Sequence, residues 1–188
     1  MKIAFLCGSL EPGRDGVGDY TRRLAGELIR QGHEAGIIAI NDQHFTGEFE
    51  GFQESEGLNL PMLRLPSHWP SNQRFKRAAS WINSFNPGWI SLQFVPFSFN
   101  AKGLPFGMSR LLMTLGKNRN WHIMFHELWV GMHIGAPRKE ICWGYVQREI
   151  ILSLIRRLQP RLIHTQSSLY KTQLAKLGVK ALLLPLFS

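Results

Sequence analysis

The chain has 188 residues, 44% hydrophobic and 19% charged, and 22 Lys and Arg against 13 Asp and Glu give it a formal net charge of +9. That length and composition suit one domain with a substantial core and exclude a disordered polypeptide. No apolar run reaches the roughly 18 residues a membrane span needs. Met1-Lys2-Ile3-Ala4 opens a strand pattern rather than a secretion signal. Cys7 and Cys142 are the only cysteines, too few for a disulfide scaffold, so a cytoplasmic location is expected. The positive field would attract phosphates, anionic lipid or nucleic acid. An RNA-binding sheet motif, zinc-finger spacing and a basic zipper are all missing, so no nucleic-acid partner is expected.

In chain order, residues 3–7 read as a first strand, followed by a loop with Gly8, Gly13, Gly16 and Gly18. A helix is expected over residues 19–31, where Tyr20, Leu24 and Leu28 recur at helical spacing and Gly32 closes the run. Residues 36–40 form a second strand. The polar stretch 41–59, with Phe45, Phe49 and Phe52, is expected to be a mobile loop. A short third strand over 62–65 precedes a helix over 72–85, a fourth strand over 89–95 and a helix over 104–115. A fifth strand over 121–126 leads to a long helix over 138–158, bounded by Pro137 and Pro160. A sixth strand over 162–165, a helix over 168–177 closed by Gly178, and a last strand over 181–184 complete the pattern.

Strands separated by helices imply parallel βαβ units. The expectation is a single α/β domain over 1–188, a Rossmann-like, doubly wound, mainly parallel sheet flanked by helices. Ligands then bind beyond the carboxyl ends of the strands, so the loops after Cys7, Phe94, Phe125 and His164 should share one rim. Leu182-Leu183-Leu184-Pro185 stops three residues before the last, which suggests a domain cut from a longer polypeptide.

Strand, glycine loop and helix together build an anion site, because a helix N-terminus presents unpaired N–H groups and a positive dipole end. The loop imitates a P-loop up to Gly13. Arg14 and Asp15 then replace the required Lys and Ser/Thr, which argues against an NTPase. Gly16-Val17-Gly18 begins like a dinucleotide fingerprint, but Thr21 stands at the third glycine. Asp42, after the second strand, could hold a ribose, which keeps a nucleotide- or NAD-binding Rossmann domain as the alternative. A plain turn and helix entry would also account for Gly16 and Gly18.

His126-Glu127-Leu128-Trp129 follows the fifth strand, where imidazole can donate, accept or titrate at the rim. His122 and His126 lie roughly 13 Å apart along a strand, too far to chelate one metal ion. Phe94 and Phe97 could form an apolar acceptor wall, although aromatics at strand ends more often belong to the core. Arg138, Lys139, Arg148, Arg156 and Arg157, with Trp129, Trp143 and Tyr145 nearby, give a mix that can sit on an anionic membrane.

These pieces together resemble the N-terminal, acceptor-side domain of a GT-B fold, family 4-like retaining glycosyltransferase. The resemblance is carried by the first strand, the loop Asp15-Gly16-Val17-Gly18-Asp19-Tyr20-Thr21, the phrase from Leu24 to Gly32-His33-Glu34, and the strand ending Phe125-His126-Glu127. It implies two Rossmann-like domains facing a cleft, the second holding the nucleotide-sugar through paired glutamates. No such pair stands in this chain, so the C-terminal donor domain is expected to be absent and the isolated chain inactive. The resemblance further implies that Gly16, Val17 and Gly18 face the donor diphosphate and that His126 contacts the transferred sugar. Asp19, Tyr20, Phe94 and Glu127 become acceptor-side candidates. It implies a nucleotide-sugar as substrate, a hydroxyl acceptor (sugar, polysaccharide or lipid-linked), and neither metal nor cofactor.

Overall fold

The computed structural model describes residues 1–185. Strands β1 (Lys2–Cys7), β2 (Glu34–Asp42), β3 (Phe49–Ser55), β4 (Leu58–Pro66), β5 (Trp89–Phe94), β6 (Asn120–Phe125), β7 (Leu162–Thr165) and β8 (Leu182–Leu183) form one sheet. Their spatial order is β3-β4-β2-β1-β5-β6-β7-β8, parallel throughout except for the β3–β4 pair. The helices are α1 (Gly16–Arg30), α2 (Ser71–Phe85), α3 (Pro96–Phe99), α4 (Met108–Leu112), α5 (Arg138–Leu158) and α6 (Ser168–Ala175). This is the expected Rossmann-like α/β architecture.

Side-chain alternation along the strands sorts the molecule into two layers. Ile3, Phe5 and Cys7 of β1 meet Ala25 of α1 on one face, together with Ile37 and Met62. Leu6, Ile38, Leu92 and Phe125 point to the other face, against Trp81 of α2, Leu112 of α4, Leu154 of α5 and Leu174 of α6. Over β5 and β6 the α1 face changes character. Ser91, Gln93 and His126 are buried there among the strands instead of aliphatic side chains.

Three sequence expectations are corrected. Residues 41–59 are not a loop throughout: β3 folds back antiparallel on β4, and β4 is longer than the expected 62–65. The turn uses Glu56 at φ 50° and Gly57 at φ 76°, the pair of positive angles that matches the twist of a two-residue hairpin. The helix expected over 104–115 shrinks to α4, because Pro105 and Gly107, the latter at φ 74°, interrupt its first turn. Helix α1 begins at Gly16 rather than residue 19, because Asp15 caps it. None of the described helices is long and apolar enough to cross a membrane.

Candidate functional site

Parallel strands bring five loop starts to one rim. Asn41 N–H donates to Gly8 O at 2.9 Å and its side-chain amide donates to Ser98 O at 2.9 Å. His126 N–H donates to Phe94 O at 3.0 Å, and Gln166 Nε2 donates to His126 O at 2.8 Å. The approach is tight: a Cβ at Gly8 would lie 2.6 Å from the Ser98 Cβ. These bonds tie the ends of β1, β2, β5, β6 and β7 around a cleft of about 550 Å³.

Ser9, Arg14, Asp15, Gly16, Val17 and Tyr20 line the cleft on the β1–α1 side, and Asn41 and Gln43 line it at the end of β2. Val95, Phe97 and Ser98 follow β5, His126 and Glu127 follow β6, and Gln166 follows β7. His126 is only 4% exposed, and Tyr20 meets its ring edge-on at a centroid distance of 5.0 Å. Its Nε2 bonds Gln93 Oε1 at 2.9 Å. Burial holds the imidazole down at about 4, with the Gln166 side chain opposing that shift. The ring is therefore neutral at pH 7 and can hydrogen-bond a ligand without bringing a charge. Burial also raises the Tyr20 phenol.

Not every sequence candidate reaches the cleft wall. Gly16, Val17, Tyr20, His126 and Glu127 line it. Phe94 does not: it is fully buried, stacked on Phe99 and edge-on to Phe125, and the exposed Phe97 takes the wall position. Strand parity explains this, since Phe94 shares the face of Leu92 and points into the core. Asp19 is engaged with Arg22 and accepts the Gly13 N–H at 3.3 Å, so it holds the loop's shape.

The anion cradle expected at the helix start is also altered. Asp15 Oδ1 accepts Val17 N–H at 3.0 Å and Gly18 N–H at 2.9 Å, so the chain caps these amides itself. Gly18 is small for a packing reason, because a Cβ there would lie 2.6 Å from Ser9 O. Gly16 has open space around it.

Asp42 is inaccessible to a ribose. It is fully buried, accepts from Ser9 Oγ at 2.9 Å and from Leu10 and His44 N–H, and pairs with Arg64 Nε at 2.8 Å. Burial alone would raise its carboxyl, but the hydrogen bond and charge of Arg64, with His44 and Ser9, hold it below the usual range. Glu11 pairs with the same guanidinium at 2.7 Å.

Sequence reasoning missed Ser9, Asn41, Gln43, Ser98 and Gln166. The rule that ligands meet the carboxyl ends of parallel strands could have nominated Asn41 and Gln166, which stand at the ends of β2 and β7. His122 Nε2 meets His164 Nδ1 at 3.0 Å.

No family model matches the chain, and no curated protein matches it. Solved structures do. An α-glucosyltransferase bound to UDP and a 13-mer DNA with a central A:G mismatch matches with a TM-score of 0.50 and 14% identity, over 88% of this chain and 37% of that one. An α-glucosyltransferase bound to UDP-glucose and abasic-site DNA matches with a TM-score of 0.50 and 12% identity, over 93% and 39%. A short-chain dehydrogenase/reductase of Serratia marcescens scores 0.45 at 12% identity, over 87% and 76%. The class is thus a Rossmann-like α/β domain with its cleft at the carboxyl rim, a fold shared with α-glucosyltransferases. The chain spans less than two fifths of the length of the two glucosyltransferase chains it matches.

Proposed function

We propose that this chain is the acceptor-side domain of a retaining, GT-B, family 4-like glycosyltransferase, which moves a sugar from a nucleotide-sugar to a hydroxyl. The observation that carries the reading is His126, neutral and buried at the carboxyl rim, with Tyr20 against its ring and Gly16 and Val17 on the same cleft. In the reaction the bond between the sugar and the diphosphate breaks and a bond to the acceptor oxygen forms. His126 would hydrogen-bond the transferred sugar. Arg14, beside Gly16, would meet the departing diphosphate, since Asp15 already occupies the Val17 and Gly18 amides.

Gln43, Ser98 and Gln166 supply neutral donors and acceptors suited to a polyhydroxy acceptor, with Phe97 as the apolar wall and Glu127 and Tyr20 at its margin. The donor's nucleotide would be held by a partner domain, without metal or cofactor, so the isolated chain would not turn over. A cytoplasmic location goes with a nucleotide-sugar donor.

The exposed start of α5 and the loop before it support peripheral contact with an anionic membrane. Ile134, Ile141, Tyr145 and Val146 are exposed next to Arg138 and Lys139. Liposome sedimentation with and without anionic lipid, at two salt concentrations, tests it. Salt-sensitive binding to the anionic vesicles alone is expected, and equal binding to neutral vesicles would refute it.

The nicotinamide alternative loses its ribose anchor with Asp42. A panel of nucleotide-sugars offered to the full-length natural polypeptide with sugar, lipid-linked and DNA acceptors tests the proposal. Transfer to a carbohydrate or lipid-linked hydroxyl is expected. Transfer only to DNA would refute the acceptor assignment, and no transfer at all would refute the reading.

A further inference from the structure

On the α1 face of the sheet, strand alternation lines up a run of polar side chains that leads inward from the cleft. Ser91 and Gln93 stand two apart on β5, His122 and His126 four apart on and just after β6, and His164 on β7. They form one continuous chain of hydrogen bonds. His126 Nε2 meets Gln93 Oε1 at 2.9 Å, and Gln93 Nε2 donates to Ser91 Oγ at 2.7 Å. Ser91 Oγ meets His122 Nδ1 at 2.7 Å, and His122 Nε2 meets His164 Nδ1 at 3.0 Å. Ser91 and Gln93 are essentially without solvent contact, so water does not compete for these bonds.

The amide of Gln93 gives this chain a direction, because its two ends are chemically different. Its nitrogen faces Ser91 and its oxygen faces His126. An amide oxygen only accepts, so His126 Nε2 carries the hydrogen. Ser91 Oγ receives the Gln93 hydrogen and gives its own to His122, whose Nδ1 is therefore the lone pair. His122 keeps its hydrogen on Nε2 and donates it to His164 Nδ1. Each member's role is dictated by its neighbour. The reverse polarity requires the Gln93 amide to turn and all three imidazoles to change tautomer together.

We propose that Gln93, Ser91 and His122 are positioning residues that hold His126 as its Nε2–H tautomer, leaving Nδ1 as the acceptor nitrogen of the ring. The functional weight of this arrangement rests on the reading of His126 as the sugar-contacting group; the arrangement itself does not. A neutral imidazole free to exchange tautomers would offer a ligand hydroxyl an acceptor only part of the time. The relay gives it one definite partner role.

The test is two-bond 1H–15N NMR of the histidine rings in protein labelled at histidine, with His126→Gln and His122→Gln used for assignment. The wild-type spectrum should show His126 protonated at Nε2 and bare at Nδ1, and His122 the same. In Ser91→Ala the Gln93 amide loses its acceptor and is free to turn, so the His126 signals should move toward tautomer exchange. Ser91→Thr, which keeps the hydroxyl, should restore the wild-type pattern. A wild-type His126 protonated at Nδ1 would overturn the proposal without any variant having to fold. So would a folded Ser91→Ala protein whose His126 signals are unchanged. The readout is the ring nitrogens, so a relay that holds in a protein with no sugar-transfer activity would refute the proposed function and leave this inference standing.

Discussion

The Asp15 carboxylate accepts the Gly18 N–H at 2.9 Å, on the same oxygen that takes the Val17 N–H. The chain thus places its own anion where a strand–glycine-loop–helix pattern places a phosphate. Asp15→Ala should cost about 1 kcal/mol of stability through the lost cap. It should also strengthen pyrophosphate binding, because two amides become available. Chemical denaturation and calorimetric titration read the two effects, and Asp15→Asn should retain the cap while removing the charge.

The glycines of this loop separate by what surrounds them. Gly16 meets nothing within 4 Å, whereas a Cβ on Gly18 would lie 2.6 Å from Ser9 O. Gly16→Ala should leave stability unchanged or raise it by about 0.5 kcal/mol, since its backbone angle is not in the left-handed region. Gly18→Ala should lower it by roughly 1–3 kcal/mol through overpacking. Thermal melts decide this. A loss of transfer activity in a stable Gly16→Ala protein would then report on a ligand rather than on folding.

Asp42 and Arg64 form a buried ion pair at 2.8 Å, shared with Glu11. Asp42→Asn should destabilise the fold by about 3 kcal/mol, because it leaves a buried guanidinium short of its fully buried carboxylate partner. In the wild type, NAD should give no protection against thermal unfolding, as the carboxylate that would hold its ribose is fully committed.

Acid should unfold this protein through its histidines before its carboxylates. Burial lowers His122 to about 3, with the charges of His164 and His126 adding to it, and lowers His126 to about 4. In the unfolded chain both return to about 6.5. Their folded values are depressed, so their stabilising contribution is complete above pH 6.5 and falls away as pH drops toward the folded values. Each histidine contributes a slope of roughly 1.4 kcal/mol per pH unit in that window. Urea unfolding between pH 7 and 4.5 should show the decline, and His122→Gln should flatten it. Asp42, also depressed, adds its loss only once pH falls to the ordinary carboxylate range and below.

The fold was readable because buried strands and amphipathic helices alternate so regularly. In the structure, strand alternation puts Leu6, Leu92 and Phe125 on one face and Phe5 and Ile37 on the other. The same parity puts Phe94 in the core, the place a strand-end aromatic more often takes. The β3 strand escaped because only one side of it is covered and its turn signal, Glu56-Gly57, lacks the Asn or Asp that usually marks such a hairpin. Asp15 looked like a defect in a phosphate loop because a cap and a repulsive charge are the same residue in a sequence. The relay through Ser91, Gln93 and His122 depends on cross-strand register, which no single strand reveals.

Whether His126 serves sugar transfer at this cleft is decided by the steady-state kinetics of the natural protein. With a nucleotide-sugar and a hydroxyl acceptor, His126→Ala should lower kcat by roughly 100-fold or more while the protein stays folded. Turnover by a folded His126→Ala protein at the wild-type rate, or no consumption of any nucleotide-sugar by the wild type, would contradict a role for His126 in sugar transfer.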